Sequence, residues 1–444
     1  MLRSDEADLL LHGGRIRTVD ARDSVTDALA IRDGRIVALG ADARRLRAAE
    51  HLDLDGRTAI PGINDAHLHA AWLGARWPHL FFSEDPHGHQ PQGALVRTAQ
   101  ERSHALRTAW ALLAELGITS YTEPGIGPGE DDGETGCFGS AMMDAYLELH
   151  RGGARTARVT LLRLFGTLDG AADLAAFERG IAAPPPRTDP RWLAITGVKI
   201  FADGIPPMST AWVSEPYPDG TAGALLTTGA GSALDAYRRM IATAISRGEQ
   251  VAVHATGDRS IEEFLRVFEE RAPHPDAPPS YVVHGDLARP DQIARARALN
   301  VGFAVQPLIA RHTRQWAELQ LGAERTAAAW PLAAMIDAGA LTTITSDAPI
   351  ATPDWRVSFD ASLALLGRDD AGARAAVLRR MTLDPARQDG AQTWKGSLEI
   401  GKVADLAILD ADPVEPGHDV SGIGVVRTIV DGRTVFERDT ARVD

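Results

Sequence analysis

Six residues spread between positions 67 and 347 carry the chemistry of this chain: His67, His69, Lys199, His254, His284 and Asp347. Together they offer four imidazoles, a carboxylate and an amine, the ligand types that hold one or two divalent transition metals and activate water. Each stands at or near the C-terminal end of a short apolar run that reads as a β-strand, a placement that unrelated structural residues have no reason to share. In an extended segment residues i and i+2 face the same way, so His67 and His69 can reach one metal from one strand end. His254 closes Gln250-Val251-Ala252-Val253, and His284 closes Tyr281-Val282-Val283 in the same manner. Asp347, in Thr345-Ser346-Asp347-Ala348-Pro349, could bind metal, hold an attacking water and take its proton. Lys199 lies between Val198 and Ile200, where an ammonium must find an acid such as Asp203 or Glu123, or be modified. Carbamylation by CO2 would turn it into a carboxylate able to bridge two metals. Taken singly, these residues also read as solvated loop histidines, a turn aspartate and a paired lysine; their joint placement carries the metal reading.

The elements that must position them alternate. After the run leading into His67, apolar runs at 117–122, 158–165, 194–201, 251–254, 281–284, 301–305 and 342–346 make eight strands. Amphipathic stretches at 96–116, 232–248, 258–271, 290–299 and 326–339 have helical spacing. Strands alternating with helices imply a parallel sheet. Eight such units in about 330 residues imply a (β/α)8 TIM barrel, with the chemistry on the loops at one face. A doubly wound open sheet is the alternative, weakened because no Gly-rich phosphate fingerprint follows any strand.

Both ends of the chain differ from the middle. Short strand patterns at 8–11, 14–19, 28–31 and 35–39 are split by turns such as Asp33-Gly34, a hairpin signal. The C-terminal runs 406–409, 425–430 and 434–436, with a turn at Asp431-Gly432, look alike. The simplest arrangement is a small β-sandwich domain built from residues 1–60 and 391–444, with the barrel, 61–390, inserted between its halves.

Composition bounds the partners. The net charge of −14 and the 6% aromatic content argue against a nucleic-acid surface. The single Cys137 excludes an intrachain disulfide and a Cys-rich zinc module. The N-terminal segment has acids where a secretory signal needs bases, and no stretch approaches the ~20 apolar residues of a membrane span. A cytoplasmic enzyme acting on a small molecule is the expectation, with no nucleic acid and no membrane.

Larger blocks then come into view: Pro61-Gly62-Ile63-Asn64-Asp65-Ala66-His67-Leu68-His69, the tail Gly396 to Leu409, Val198-Lys199-Ile200-Phe201-Ala202-Asp203-Gly204, His254-Ala255-Thr256-Gly257-Asp258-Arg259, Ala304-Val305-Gln306-Pro307 and Thr345-Ser346-Asp347-Ala348-Pro349. In this order they resemble the amidohydrolase superfamily, and within it the YtcJ-like branch that includes N-substituted formamide deformylase. The resemblance implies a (β/α)8 barrel with a flanking β-sandwich and one or two zinc ions, or another divalent metal. His67, His69 and Asp347 would hold one metal; His254 and His284 the second, with carbamylated Lys199 between them. Asp347 would be the general base. A homodimer is a habit of such enzymes. There are departures: Ile63 and Asn64 replace the usual Phe and Ile, Val283 precedes His284 where Glu is usual, and the segment after His69 is short.

The expected reaction is hydrolysis of a non-peptide C–N bond in an amide, an N-substituted formamide or a cyclic amide. Asp347 takes the water proton and returns it to the departing nitrogen, and His284 or the second metal steadies the oxyanion. Trp72, Trp212 and Trp316, with Trp77, Phe81, Phe82 and Tyr217, are candidate pocket walls, and Glu123 an acid at the mouth, as substrate contact or extra ligand. Arg311, His312 and Arg314 could meet a substrate carboxylate. Deamination, or ester or C–C hydrolysis, on the same barrel is the alternative. For deamination the usual acid three residues after the fifth-strand histidine is Gly257 here. A non-catalytic scaffold would have no use for a full ligand set.

Overall fold

A computed structural model describes residues 5–82, 90–153 and 155–439. The first four and last five residues of the expected flanking domain lie outside that range.

The barrel strands run in chain order as β1 (Ile63–Asp65), β2 (Ile118–Ile126), β3 (Arg158–Leu164), β4 (Leu193–Phe201), β5 (Gln250–Ala255), β6 (Tyr281–His284), β7 (Gly302–Val305) and β8 (Thr342–Ile344). Each pairs in parallel with the next in sequence. The ring is drawn shut just past the short first and last strands. There Asp347 N–H donates to the His67 carbonyl at 2.9 Å and His69 N–H to the Ala348 carbonyl at 2.8 Å. The same two bonds bring two site segments, 280 residues apart, side by side.

Alternation along the strands sorts the side chains. Val198 and Ile200 of β4, Val251 and Val253 of β5 and Val282 of β6 join the large core between the sheet and its helices. Ala252, Tyr281, Val283 and Ala304 form a separate small core inside the barrel. By the same period of two, Lys199 and His254 point inward.

The helices largely follow the expected spans. Ala99–Glu115 starts at a capping box in which the Thr98 side chain accepts from Glu101 N–H. Ala233–Ser246 starts at another, formed by Ser232 and Asp235. The expected helix at 326–339 is instead two: Pro307–Ala328, kinked at Gly322, and Leu332–Asp337. The break falls at Trp330-Pro331, where proline has no N–H to continue the ladder.

Strands from both chain ends join one eight-stranded sheet outside the barrel. Thr58–Pro61 is its seam, antiparallel to Leu406–Leu409 and parallel to the strand Glu6–Arg17. Leu11, Ile16, Leu29, Ile408 and Ile429 bury together on it. The strand Arg47–Asp53, parallel to Glu6–Arg17, has no signature in the sequence because most of its residues are exposed. The Arg158 guanidinium ties this sheet to the barrel, donating to Asp405 at 2.6 and 3.0 Å and to Asp431 at 3.0 Å, with the Trp192 ring against it.

Candidate metal centre

At the C-terminal end of the barrel, His67, His69 and Asp347 come together, all buried, with one ligand atom from each within 4.8 Å of the others. His67 Nε2 lies 3.2 Å and His69 Nε2 3.5 Å from the same Asp347 oxygen, Oδ1. Two ligands each ~2.1 Å from a tetrahedral metal stand roughly 3.4 Å apart, so the spacing fits a divalent ion of zinc size. Burial holds His67 well below the usual histidine pKa, which leaves a neutral imidazole of the form that binds metal. Its Nδ1 is buried, with no hydrogen-bond partner among the described residues.

Two of the ligand candidates reach the site through unusual backbone. His284 has φ 70° and Asp347 φ 56°, both in the left-handed region that costs non-glycine residues of order 1 kcal/mol or more. For His284 the reason is visible. Alternation along β6 would send it outward with Val282; the positive φ turns it to the mouth instead, with its ring 4.6 Å from His254 and 5.9 Å from His67. Such strain persists only where the surrounding structure enforces it.

Three of the four imidazoles are oriented by a protein acceptor on one ring nitrogen, which leaves the other for a second partner. The Glu123 carboxylate faces His69 Nδ1 at 3.1 Å. The Gly204 carbonyl lies 3.1 Å from His254 Nε2. Gln306 Oε1 lies 2.7 Å from His284 Nδ1. The Gln306 amide nitrogen donates to Thr345 Oγ1 at 2.9 Å and the Ala304 carbonyl at 3.1 Å, which fixes Oε1 towards His284. His284 therefore carries its proton on Nδ1. Burial keeps it well below the usual pKa, so Nε2 presents a lone pair. That tautomer suits a ligand and does not suit the oxyanion donor expected from the sequence.

Lys199, 2% exposed, sits on β4 at the floor of this cluster, its Nζ 4.8 Å from the Phe201 ring centre. Burial pushes its pKa down to about 8, against the pull of Asp347 and Asp169. Neither acid proposed for it from the sequence is its partner. Asp203 instead accepts from the backbone N–H groups of Thr256, Trp212 and Gly257 and from Ser260 Oγ, pinning the loop after β4 to the end of β5. Glu123, expected as an acid at the mouth, is fully buried behind His69. Its Oε1 faces His69, and its Oε2 accepts from Ala70 N–H and Tyr146 Oη, each at 2.9 Å. Behind it runs a chain of donors, Trp110 Nε1 to Tyr121 Oη at 2.8 Å and Tyr121 Oη to Tyr146 at 3.1 Å. His69 thus has two acids beside it; burial works against its protonation, but Glu123 and Asp347 together raise its pKa. Asp65, also buried and beside Asp347, accepts from His67 N–H and Ser346 N–H, and burial raises its pKa to about 7.

Of the expected walls, Trp72 lies 6.2 Å from the His69 ring and 5.0 Å from Phe81, and Phe138, not expected from the sequence, is 5.4 Å from His69. Among the described residues, Trp212 and Trp316 are not in ring contact with the histidines. Trp212 is covered by Arg259, and Trp316, 54% exposed, lies 6.1 Å from Phe82, which stacks on His312. Trp110, Tyr121, Tyr146 and Gln306 were not singled out as functional by residue type. Only the Gln306-Pro307 motif flagged one of them.

Comparison with known proteins bears on the family and the fold. The sequence model of the amidohydrolase family matches residues 82–436. YtcJ of Bacillus subtilis (strain 168) is 25% identical over 254 residues, 54% of this chain and 47% of that protein. The N-substituted formamide deformylase of Arthrobacter pascens is 28% identical over 201 residues, 43% of this chain and 37% of that protein. The chain thus spans about half or less of these two relatives. A metal-dependent hydrolase structure from Pyrococcus horikoshii shares the fold at TM-score 0.73 and 21% identity, covering 93% of this chain and 99% of its own.

Proposed function

Because this chain belongs to the amidohydrolase family, we propose that it hydrolyses a non-peptide C–N bond in an amide, an N-substituted formamide or a cyclic amide. The observation that carries the reading is the convergence of His67 Nε2 and His69 Nε2 on Asp347 Oδ1 at the barrel mouth. These three residues would hold one divalent metal, zinc or another transition ion of its size. His254 and His284 would hold a second through the nitrogens their acceptors leave free, with Lys199 between the two. A metal bound there lowers the pKa of water towards ~7 and polarises a carbonyl oxygen.

The protein's own groups do the rest. Asp347 stands at the point where β1 and β8 meet, and its carboxylate accepts the proton of the attacking water. The same group returns that proton to the departing nitrogen, which would otherwise leave as an unstable anion. Glu123 holds His69 in the tautomer with the proton on Nδ1, and Gln306 does so for His284. Trp72, Phe81 and Phe138 supply an apolar wall beside His69, which suits a substrate with an apolar group next to the amide. Lys199 supports the carbamate reading. With a pKa of about 8 its amine is neutral far more often than an ordinary lysine's. The nitrogen lone pair adds to the carbon of CO2, a new N–C bond forms, and one N–H proton is released to water. The carbamate anion replaces a buried ammonium whose charge opposes protonation of His67 and His284.

The reading is tested with the zinc-supplied protein on a panel of N-benzylformamide, simple anilides, hydantoins and a nucleoside deaminase substrate. Release of amine from a formamide or amide, absent in Asp347→Asn, is the expected result. Turnover of the nucleoside alone would replace the reading with deamination.

A further inference from the structure

The face of the barrel opposite the metal centre holds a cavity of about 470 Å³ with four guanidiniums on its walls, Arg297, Arg379, Arg380 and Arg387, and a single carboxylate, Asp384. It sits under the N-terminal ends of three strands. Asn300 and Val301 lead into β7, Ala340 and Leu341 into β8, and Pro279 stands just before β6.

The charges do not cancel. Asp384 is shared by two of the arginines, at 3.3 Å from Arg379 and 3.6 Å from Arg387. Arg297, Arg379, Arg380 and Arg387 also lie in the last turns of three helices, Pro290–Ala298, Ala371–Arg380 and Leu383–Gln388. Each helix C-terminus counts for roughly half a negative charge. Four positive charges against one carboxylate and three such ends leave a surplus of roughly one and a half. Arg380 is only 8% exposed; one of its terminal nitrogens donates to the Ala376 carbonyl, while its Nε is buried with no partner among the described residues. A concave, surplus-positive pocket is an odd feature in a chain of net charge −14, where no general demand for basic surface exists.

From this cavity we infer that the protein has a second binding site, for a small phosphate-bearing molecule. The guanidinium fork matches phosphate oxygens in pairs, and several arginines lining one cavity favour a doubly charged group over a carboxylate. The volume is ample for more than inorganic phosphate, since small-molecule pockets begin at roughly 300 Å³. Asn300 and Gln392 on the same wall offer amide contacts to hydroxyl groups of the remainder. The site is separate from the reaction: Pro279, Asn300, Val301, Ala340 and Leu341 on its wall precede the strands whose other ends lead to His284, Gln306 and Asp347.

The test is isothermal titration of the full-length, metal-loaded protein with ribose 5-phosphate, inorganic phosphate and succinate, beside an Arg379→Gln/Arg387→Gln variant. Both substituted side chains are partly exposed, at 30% and 51%, so the fold should survive, and unchanged thermal unfolding checks this. Saturable 1:1 binding of ribose 5-phosphate, weakened at least about tenfold in the variant, is expected; each charge-assisted bond lost is worth that much. No saturable binding of either phosphate up to about 10 mM, a range that takes in weak sites, would overturn the site. So would binding unchanged in the variant, which would assign it to the metal centre. Succinate binding tighter than both phosphates would overturn the phosphate assignment.

Discussion

Glu123→Gln is the substitution that tests most sharply how the ligand set is held. The side chain is fully buried and accepts three hydrogen bonds: at Oε1 from His69 Nδ1 at 3.1 Å, and at Oε2 from Ala70 N–H and Tyr146 Oη, both at 2.9 Å. Glutamine is nearly the same shape but has one acceptor oxygen. If that oxygen stays with Ala70 and Tyr146, the amide NH2 faces His69 Nδ1 and drives the proton to Nε2, the atom 3.5 Å from Asp347. His69 is then the wrong tautomer for a ligand. If the amide turns over, its NH2 meets the Ala70 N–H, and a buried donor is left unpaired at a cost of about 1–3 kcal/mol. The first outcome lowers metal affinity by roughly 10–100-fold, as loss of such an orienting partner does; that is about 1.4–2.8 kcal/mol. The assay is competition for zinc against a chelator of known affinity at fixed pH, with Tm measured on the same samples. A variant that keeps metal affinity within about twofold and an unchanged Tm would show that Glu123 does not set the His69 tautomer, since either rotamer carries one of the two penalties.

Asp347→Asn should lower kcat by at least about 100-fold, the usual contribution of a positioned base, while most of the metal stays bound; wild-type turnover in this variant contradicts the assignment. Gln306→Leu frees the His284 ring, and metal stoichiometry measured after dialysis should fall while the helical circular dichroism is unchanged. In the metal-free protein Lys199 titrates near pH 8 folded and near 10.5 unfolded, so the unfolded chain binds more protons between those values. Chemical denaturation from pH 8 to 10.5 should therefore show wild type gaining stability relative to Lys199→Met as pH rises; no difference in slope would place the lysine in water, and the opposite slope would place it in an ion pair with an acid. With 13C-bicarbonate, metal-loaded wild type should show a carbamate carbonyl resonance that Lys199→Ala lacks.

Much of this site is legible in the sequence because its parts fall at strand ends, where an apolar run stops and a polar residue begins. His67, His69, Lys199 and His254 stand where the sequence puts them, at or near the ends of their strands. His284 is read as a candidate for the same reason, yet a strict period of two would have turned it outward; only the backbone conformation shows how it enters. Asp347 has the same dependence on a positive φ. The position of Glu123 along β2 reads as an acid near the mouth, an extra ligand or substrate contact, but does not show that Ala70 N–H and Tyr146 consume its second oxygen. The relay Trp110–Tyr121–Tyr146 joins a helix, a strand and another helix, and no spacing within one element announces it. The exposed strand Arg47–Asp53 lacks the apolar alternation on which strand assignment relies, and its existence depends on the parallel edge of Glu6–Arg17.

The central claim, a metal centre built on His67, His69 and Asp347 with Lys199 beneath it, is tested most directly by metal content. Inductively coupled plasma mass spectrometry is run on purified, zinc-supplied protein and on Lys199→Ala. The account predicts close to two zinc ions per chain, falling to about one or fewer in the variant as a bridging ligand is lost. About one zinc in both would make Lys199 a bystander. Protein that retains no divalent metal after zinc is supplied would contradict the account.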